Sequence, residues 1–222
     1  MSRLLTDRDI LSEALDQNQA TYGGIAEAYD ASSSSRGRHA KRWFRPALEG
    51  FSEAGVRTVL ELGPADGNLT KLLSDKGFDV TAIDFVEAMC ALTKRNAPRA
   101  KVIHDEFLDH EFEATFDAVV CSAFVHIFPR PWDVEVLIKV RELLSPCGIA
   151  YLATTLHDTV DAGYLPKAGL DSAVRYRVRH TQESFEALIG LSGLRVQNFY
   201  ATDDRLSTEK TWGNWIVTGR AS

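Results

Sequence analysis

Two acidic residues end predicted strands, where a carboxylate can receive a ligand's hydroxyl or cationic group. Glu61 lies two residues before a glycine turn, and Asp84 ends the apolar segment that follows that turn and its helix. Asp84 lies 17 positions beyond Gly67 of the turn. In nucleoside-binding α/β folds, an acidic residue about this far beyond the glycine turn accepts hydrogen bonds from both ribose hydroxyls. The carboxylate of Glu61 would repel a pyrophosphate but attract a ligand that carries an ammonium and a sulfonium. The two positions therefore favour a cationic nucleoside ligand.

The glycine turn that lies between Glu61 and Asp84 in the sequence must place backbone amide groups next to that ligand. Val59, Leu60 and Leu62 read as a buried strand, residues 63–67 break it, and helical spacing begins with Leu69. A strand, a glycine turn and a helix in this order present bare amides and a positive helix terminus. The segment is therefore predicted to be a cofactor loop.

The loop does not match a dinucleotide fingerprint. The three glycine positions of G-x-G-x-x-G hold Gly63, Ala65 and Asn68, so only one is filled. A nicotinamide-dependent oxidoreductase is therefore the weaker alternative.

The loop resembles the first motif of the class I S-adenosylmethionine-dependent methyltransferases, roughly (D/E)-x-G-x-G-x-G. Glu61, Gly63 and Gly67 match it, and Ala65 departs at the middle glycine. The resemblance is to the small-molecule type and covers roughly residues 20–219. It implies S-adenosylmethionine as cofactor, S-adenosylhomocysteine as product, and transfer of a methyl group to N or O of a small metabolite. A noncatalytic adenosyl-ligand binding or regulatory protein on the same fold is the alternative.

The fold that the resemblance implies is α/β. It is a Rossmann-like seven-stranded sheet, mostly parallel with an antiparallel last strand, and with helices on both faces. Residues 1–50 are expected to form a helical cap, and residues 51–222 the methyltransferase domain with a lid insertion near 156–180. The last two strands, near 194–200 and 214–219, are expected to form an antiparallel hairpin.

The resemblance also assigns residues to the cofactor. Asp105 or its neighbour Glu106 is expected to accept a hydrogen bond from the adenine amine, while Phe85 and Met89 flank the ring. The predicted cofactor-binding set is Tyr22, Tyr29, Glu61, Gly63, Pro64, Ala65, Gly67, Asn68, Asp84, Phe85, Met89, Asp105, Glu106, Phe107, Ser122 and Ala123.

Catalysis is expected to rest mainly on positioning, because an in-line displacement needs the acceptor, methyl group and sulfur to be nearly collinear. His126 and His157 are the candidate general bases, since histidine titrates near neutral pH and both are expected at the cleft mouth. No carboxylate cluster is expected near the cleft, so no metal is predicted.

Basic segments raise the question of anionic partners. Residues 32–35 are predicted to be a polar linker that leads into a basic run over 36–45, in which Trp43 and Phe44 are expected to be buried. Over 175–180, three arginines alternate with other residues as on a strand with one basic face. A solvated edge is expected for that face, and contact with an acidic substrate is the alternative.

The composition limits the class of protein. The 222 residues suit one α/β domain, and the net charge of −6 disfavours nucleic-acid and anionic-membrane partners. Cys90, Cys121 and Cys147 form no zinc or disulfide pattern, and no membrane span or signal peptide is recognised. The sequence therefore predicts a cytoplasmic protein, monomer or homodimer, that acts on a small molecule.

Overall fold

The structure is a computed structural model that describes residues 6–31, 42–167, 170–204 and 210–219. The predicted linker over 32–35 and most of the basic run lie outside these residues. The helices are α1 (Asp7–Gly24), α2 (Ala26–Ala31), α3 (Arg45–Glu53), α4 (Asn68–Asp75), α5 (Glu87–Asn96), α6 (Trp132–Leu143) and α7 (Gln182–Leu191). The strands are β1 (Thr58–Leu62), β2 (Asp79–Asp84), β3 (Lys101–His104), β4 (Phe116–Ser122), β5 (Leu144–Thr155), β6 (Asp161–Lys167), β7 (Leu170–Arg179), β8 (Arg195–Asp204) and β9 (Lys210–Thr218).

Seven of the strands form one sheet in the order β3-β2-β1-β4-β5-β9-β8. The pairs from β3 to β5 are parallel, and β9 runs antiparallel to both β5 and β8. This confirms the predicted sheet and its hairpin. The carboxyl ends of β1, β2, β4 and β5 meet at one edge, where ligands bind in such sheets.

Both faces of the sheet are covered by helices. Successive strand residues point to opposite faces, so Val59 packs with Phe44 and Phe51, whereas Leu60 packs with Leu137 of α6. The boundary predicted at residue 50 falls inside α3, and the division into cap and core stays a prediction.

The hairpin of β6 and β7 lies outside the main sheet as a separate two-stranded sheet. The lid insertion expected near 156–180 therefore contains a second strand, because β6 pairs antiparallel with the predicted basic strand. Sequence reasoning missed β6, since Gly163 and Pro166 interrupt its pattern.

The helix α1 fastens this hairpin to the core. Asn18 is fully buried, and its Oδ1 accepts from the Tyr176 amide at 2.8 Å. Its Nδ2 donates to the carbonyls of Tyr176 at 3.3 Å and Ile127 at 3.4 Å. The Val174 carbonyl accepts from the side chains of Gln17 and Thr21. One edge of β7 therefore pairs with β6, and the other is bonded by α1.

None of the helices in the described ranges is long and apolar enough to cross a bilayer.

The cofactor loop depends on Gly67. Its φ is +73°, and an added Cβ would lie 2.8 Å from the Thr93 Cα, a backbone atom. Gly77 has a φ of +92° but nothing within 4 Å of an added Cβ.

Alanine at either position meets about 1–2 kcal/mol of backbone strain, and Gly67→Ala meets a steric clash as well. We expect Gly67→Ala to lower the free energy of unfolding by at least about 1 kcal/mol more than Gly77→Ala in urea titrations. Equal losses would contradict the close packing of the loop against α5.

Candidate functional site

The loop after β1 turns sharply through three residues with positive φ. These are Gly63 at 64°, Ala65 at 52° and Gly67 at 73°. Ala65 thus adopts the left-handed conformation that the motif's middle glycine favours, so the loop keeps its shape at a cost in strain. An added Cβ on Gly63 would lie 2.8 Å from the Phe124 ring, so that position has no room for a side chain.

Glu61 is buried behind this loop. The Thr70 hydroxyl donates to its Oε2 at 2.6 Å. Burial raises the pKa of Glu61 to about 7 against the effect of that hydrogen bond, and the nearby carboxylates of Asp66 and Asp84 raise it further. Ionisation of this carboxyl group is therefore costly, and a cationic ligand next to it would stabilise the ionised form.

Asp84 occupies the end of β2 and is 6% exposed. Its Oδ1 accepts from the Val86 amide at 2.9 Å. Burial raises the pKa of Asp84 to about 6, while the amides of Val86 and Ala65 favour the charged form. No ion pair in the described ranges includes Glu61 or Asp84. Two buried acids, neither of them paired with a cation among the described residues, thus flank the loop.

A cavity of about 390 Å³ lies between α1 and the carboxyl ends of β2 and β3. Phe85, Asp105 and Glu106 are among the residues that line it, and their assignment to the adenine stays a prediction. The Asp105 carboxylate accepts a hydrogen bond from His110 Nδ1 at 2.8 Å, and this contact lowers the pKa of the Asp105 carboxyl. Burial raises the pKa of Glu106.

Two residues predicted for the same pocket are packed in the interior. Met89 and Phe107 are each 2% exposed, and Phe107 packs edge-to-face on Phe124. Their assignment to the cofactor stays a prediction. Pro64 and Asn68 lie in the loop and at the start of α4, and the side-chain amide of Asn68 donates to Asp66 at 2.7 Å.

The cap tyrosines face each other above the sheet edge. Tyr22 lies in the last turn of α1 and Tyr29 lies in α2, with their rings edge-to-face at 6.1 Å between centroids. Burial raises the pKa of the Tyr22 phenol, as do Tyr29 and Asp84, whereas Arg175 and Arg177 act to lower it. Tyr22 therefore lies within electrostatic range of both the β2 acid and the β7 arginines.

The end of β4 makes a second strained turn. Ser122 and Ala123 are half-buried, and Ala123 has a φ of 59°. In the 3₁₀ turn that follows, His126 is buried, and its Nδ1 lies 3.1 Å from the Thr154 hydroxyl. Burial and the two arginines Arg177 and Arg175 hold its pKa well below the usual value, so the imidazole is neutral.

His157 is half-buried just beyond β5. Its Nε2 lies 3.0 Å from the Thr155 hydroxyl, which also accepts from Arg177. His157 and the arginines all act on the pKa of His126. The structure therefore brings both predicted histidines to the β4–β5 side of the site, but His126 is 2% exposed, so its expected position at the cleft mouth is wrong.

The arginines of β7 overturn one prediction. Arg175 and Arg177 are 6% and 8% exposed, so the expected solvated edge is wrong for both. The side chain of Arg179, on the same strand, is 42% exposed. The reason is that β6 and α1 occupy both edges of β7, and its basic face turns inward. The alternating arginines were the sequence signal, but alternation does not tell which face is buried.

Comparisons with known proteins agree with this geometry. A family profile described as a methyltransferase domain matches residues 59–148. An uncharacterized methyltransferase of Staphylococcus carnosus is 41% identical over 73 residues, covering 32% of this chain and 35% of that protein. A demethylmenaquinone methyltransferase of Renibacterium salmoninarum is 26% identical over 155 residues, covering 68% of this chain and 64% of that protein. The chain spans less than two thirds of the length of each of these curated relatives.

The fold also matches solved structures. The crystal structure of 1,6-didemethyltoxoflavin-N1-methyltransferase from Burkholderia thailandensis aligns with a TM-score of 0.73. The alignment covers 98% of this chain and 93% of that chain at 17% identity, so it shows the fold alone. The profile over residues 59–148, the curated relatives and the sheet order all indicate a class I S-adenosylmethionine-dependent methyltransferase, in agreement with the predicted resemblance.

Proposed function

We propose that the protein is an enzyme that transfers a methyl group from S-adenosylmethionine to a nitrogen or oxygen of a small molecule. The observation that carries the proposal is the pair of buried carboxylates, Glu61 and Asp84, on either side of a strained backbone loop. Burying two acids without cations is costly, and a cationic ligand with two hydroxyls offsets that cost at both positions.

The residues present include groups suited to the methionine part, the ribose and the adenine of this cofactor. Glu61 would face the cationic methionine part, Asp84 the ribose hydroxyls, and the cavity with Phe85, Asp105 and Glu106 the adenine. When bound, S-adenosylmethionine supplies an electrophilic methyl group on sulfur.

The protein's own part is to orient the acceptor and to receive its proton. A protonated acceptor nitrogen must lose a proton before its lone pair can attack the methyl carbon, and a hydroxyl must lose its proton as the O–C bond forms and the C–S bond breaks. His126 is neutral because of burial and nearby arginines, and Thr154 fixes its ring, so it is the first candidate for that proton. His157 is the second.

The names of similar proteins point to the acceptor class. Demethylmenaquinone and ubiquinone-biosynthesis methyltransferases are among the curated relatives, and the Burkholderia thailandensis structure contains 1,6-didemethyltoxoflavin and S-adenosylhomocysteine. These names support a small organic acceptor here.

The first test is cofactor binding. Calorimetry should show S-adenosylhomocysteine bound by the wild type and weakened at least about tenfold by Asp84→Asn, because a hydrogen bond to a charged group contributes about 1.5–3 kcal/mol. Asp79→Asn is the matched control, since Asp79 is exposed at the start of the same strand. No binding by the wild type would overturn the proposed function, and equal affinities for the two variants would remove Asp84 from the site.

The cofactor's affinity should depend on pH through Glu61. Without ligand its pKa is about 7, so below that pH the carboxyl is mostly protonated. A cation favours the ionised form, and binding at low pH must therefore release a proton and is weaker. We expect S-adenosylmethionine to bind more tightly as pH rises from about 6 to 8, and Glu61→Gln to lose this part of the pH dependence. If calorimetry gives parallel curves of S-adenosylmethionine affinity against pH for Glu61→Gln and the wild type, the prediction is refuted.

The base assignment predicts a loss of turnover without a loss of cofactor. With an acceptor found by screening for release of S-adenosylhomocysteine, His126→Ala should lower kcat by about 10²–10⁴-fold. Its affinity for S-adenosylhomocysteine should match that of the wild type. A kcat that survives in His126→Ala and falls in His157→Ala would move the role to His157, and survival in both would leave positioning alone.

A further inference from the structure

The hairpin buries two positive charges side by side. Arg175 and Arg177 lie on the same face of β7, and more than nine tenths of each is buried. In the ranges that the structure describes, no carboxylate lies within ion-pair distance of either, whereas Arg179 on the same strand lies 3.9 Å from Asp161. Buried charges are normally paired, because desolvating them alone is costly.

Both guanidinium groups keep donors unused. Arg177 donates through Nη2 to the Thr155 hydroxyl, and Arg175 through Nη1 to the Pro166 carbonyl at 3.5 Å. The Nε of each is buried and has no acceptor among the described residues. A guanidinium presents five N–H donors in a planar fork, and an Nε–Nη edge suits the two oxygens of an anion.

The charges face the site and not the bulk solvent. Arg177 contacts Thr155 at the end of β5, next to the Thr154 that holds His126. Burial and Arg175 lower the pKa of Arg177 to about 10, and the phenol of Tyr22 opposes this shift. The pair therefore lies between the cap and the β4–β5 edge.

We propose that Arg175 and Arg177 bind an oxyanion, carboxylate or phosphate, carried by the methyl acceptor. The proposal rests on the proposed function, because it names the class of substrate for that site. An anion would supply the missing partner for both guanidinium groups and would fix the acceptor in orientation as well as in place.

The cofactor's own carboxylate is the other possible source of such an anion. The order of strands favours the acceptor. Glu61 and Asp84 belong to β1 and β2, whereas Arg177 is held at β5, on the far side of β4. Such a separation suits two ligands that meet near His126.

The test is calorimetry on protein saturated with S-adenosylhomocysteine, with benzoate, phenyl phosphate and the neutral benzamide as probes. We expect one of the anions to bind the wild type at least about tenfold more tightly than benzamide. Arg175→Gln and Arg177→Gln should each remove that preference and leave the affinity for S-adenosylhomocysteine unchanged. Arg179→Gln is the matched control, because its charge is largely exposed on the same strand, and it should behave as the wild type.

Other outcomes separate the proposals. If neither anion binds the wild type more tightly than benzamide, the oxyanion site is refuted, and this arm needs no variant to fold. If the glutamine variants weaken S-adenosylhomocysteine but not the probes, the arginines serve the cofactor and the assignment to the acceptor is wrong. If the wild type does not bind S-adenosylhomocysteine, the proposed function fails. The probes titrated without it then still decide whether the arginines bind an oxyanion.

Discussion

The side chain of Asn18 joins α1 to the β6–β7 hairpin and to the turn that carries His126. Its amide bonds both backbone groups of Tyr176 and also reaches the turn that carries His126, from a position with no exposure to solvent. Tyr176 lies between Arg175 and Arg177, so the same contacts that fasten α1 to β7 set the direction of both arginines. An unpaired buried amide costs about 1–3 kcal/mol, so a shift of α1 along β7 that broke these hydrogen bonds would be unfavourable. The helix α1, the hairpin of β6 and β7, and the turn that carries His126 are therefore held together by one buried residue.

This arrangement divides the site by charge. Buried acids occupy the β1–β2 half and buried arginines the β5–β7 half, and Tyr22 lies within range of both. Within a poorly solvated interior, opposite charges at the two ends favour opposite charges on the two ligands. A cationic cofactor and an anionic acceptor would each be drawn to one half, and their reacting atoms would meet between the halves. Alignment of that kind is the main contribution that a methyl transfer needs from a protein.

Local patterns predicted the sheet and the cofactor loop because the relevant contacts are close in sequence. The apolar run before Gly63, the turn and the helix after it lie within one short segment, and Asp84 ends the next strand. The acceptor side depends instead on α1 meeting β7, which are joined by no local signal. The alternation at Arg175 and Arg177 predicted a strand correctly, but the burial of its basic face depends on distant residues such as Asn18. The strand β6 was not predicted for a related reason. Its residue pattern is not typical of a strand, and it is one because it pairs with β7.

The arginines also bear on the proposed base. Burial alone lowers the pKa of His126, and the positive charges of Arg177 and Arg175 lower it further. An oxyanion between these guanidinium groups would offset their charge, so the imidazole would become more basic when the acceptor is in place. Before the acceptor binds, the histidine is neutral and able to accept a proton, and after binding it holds that proton more firmly. One pair of charges would thus both select the acceptor and adjust the pKa of the proposed base.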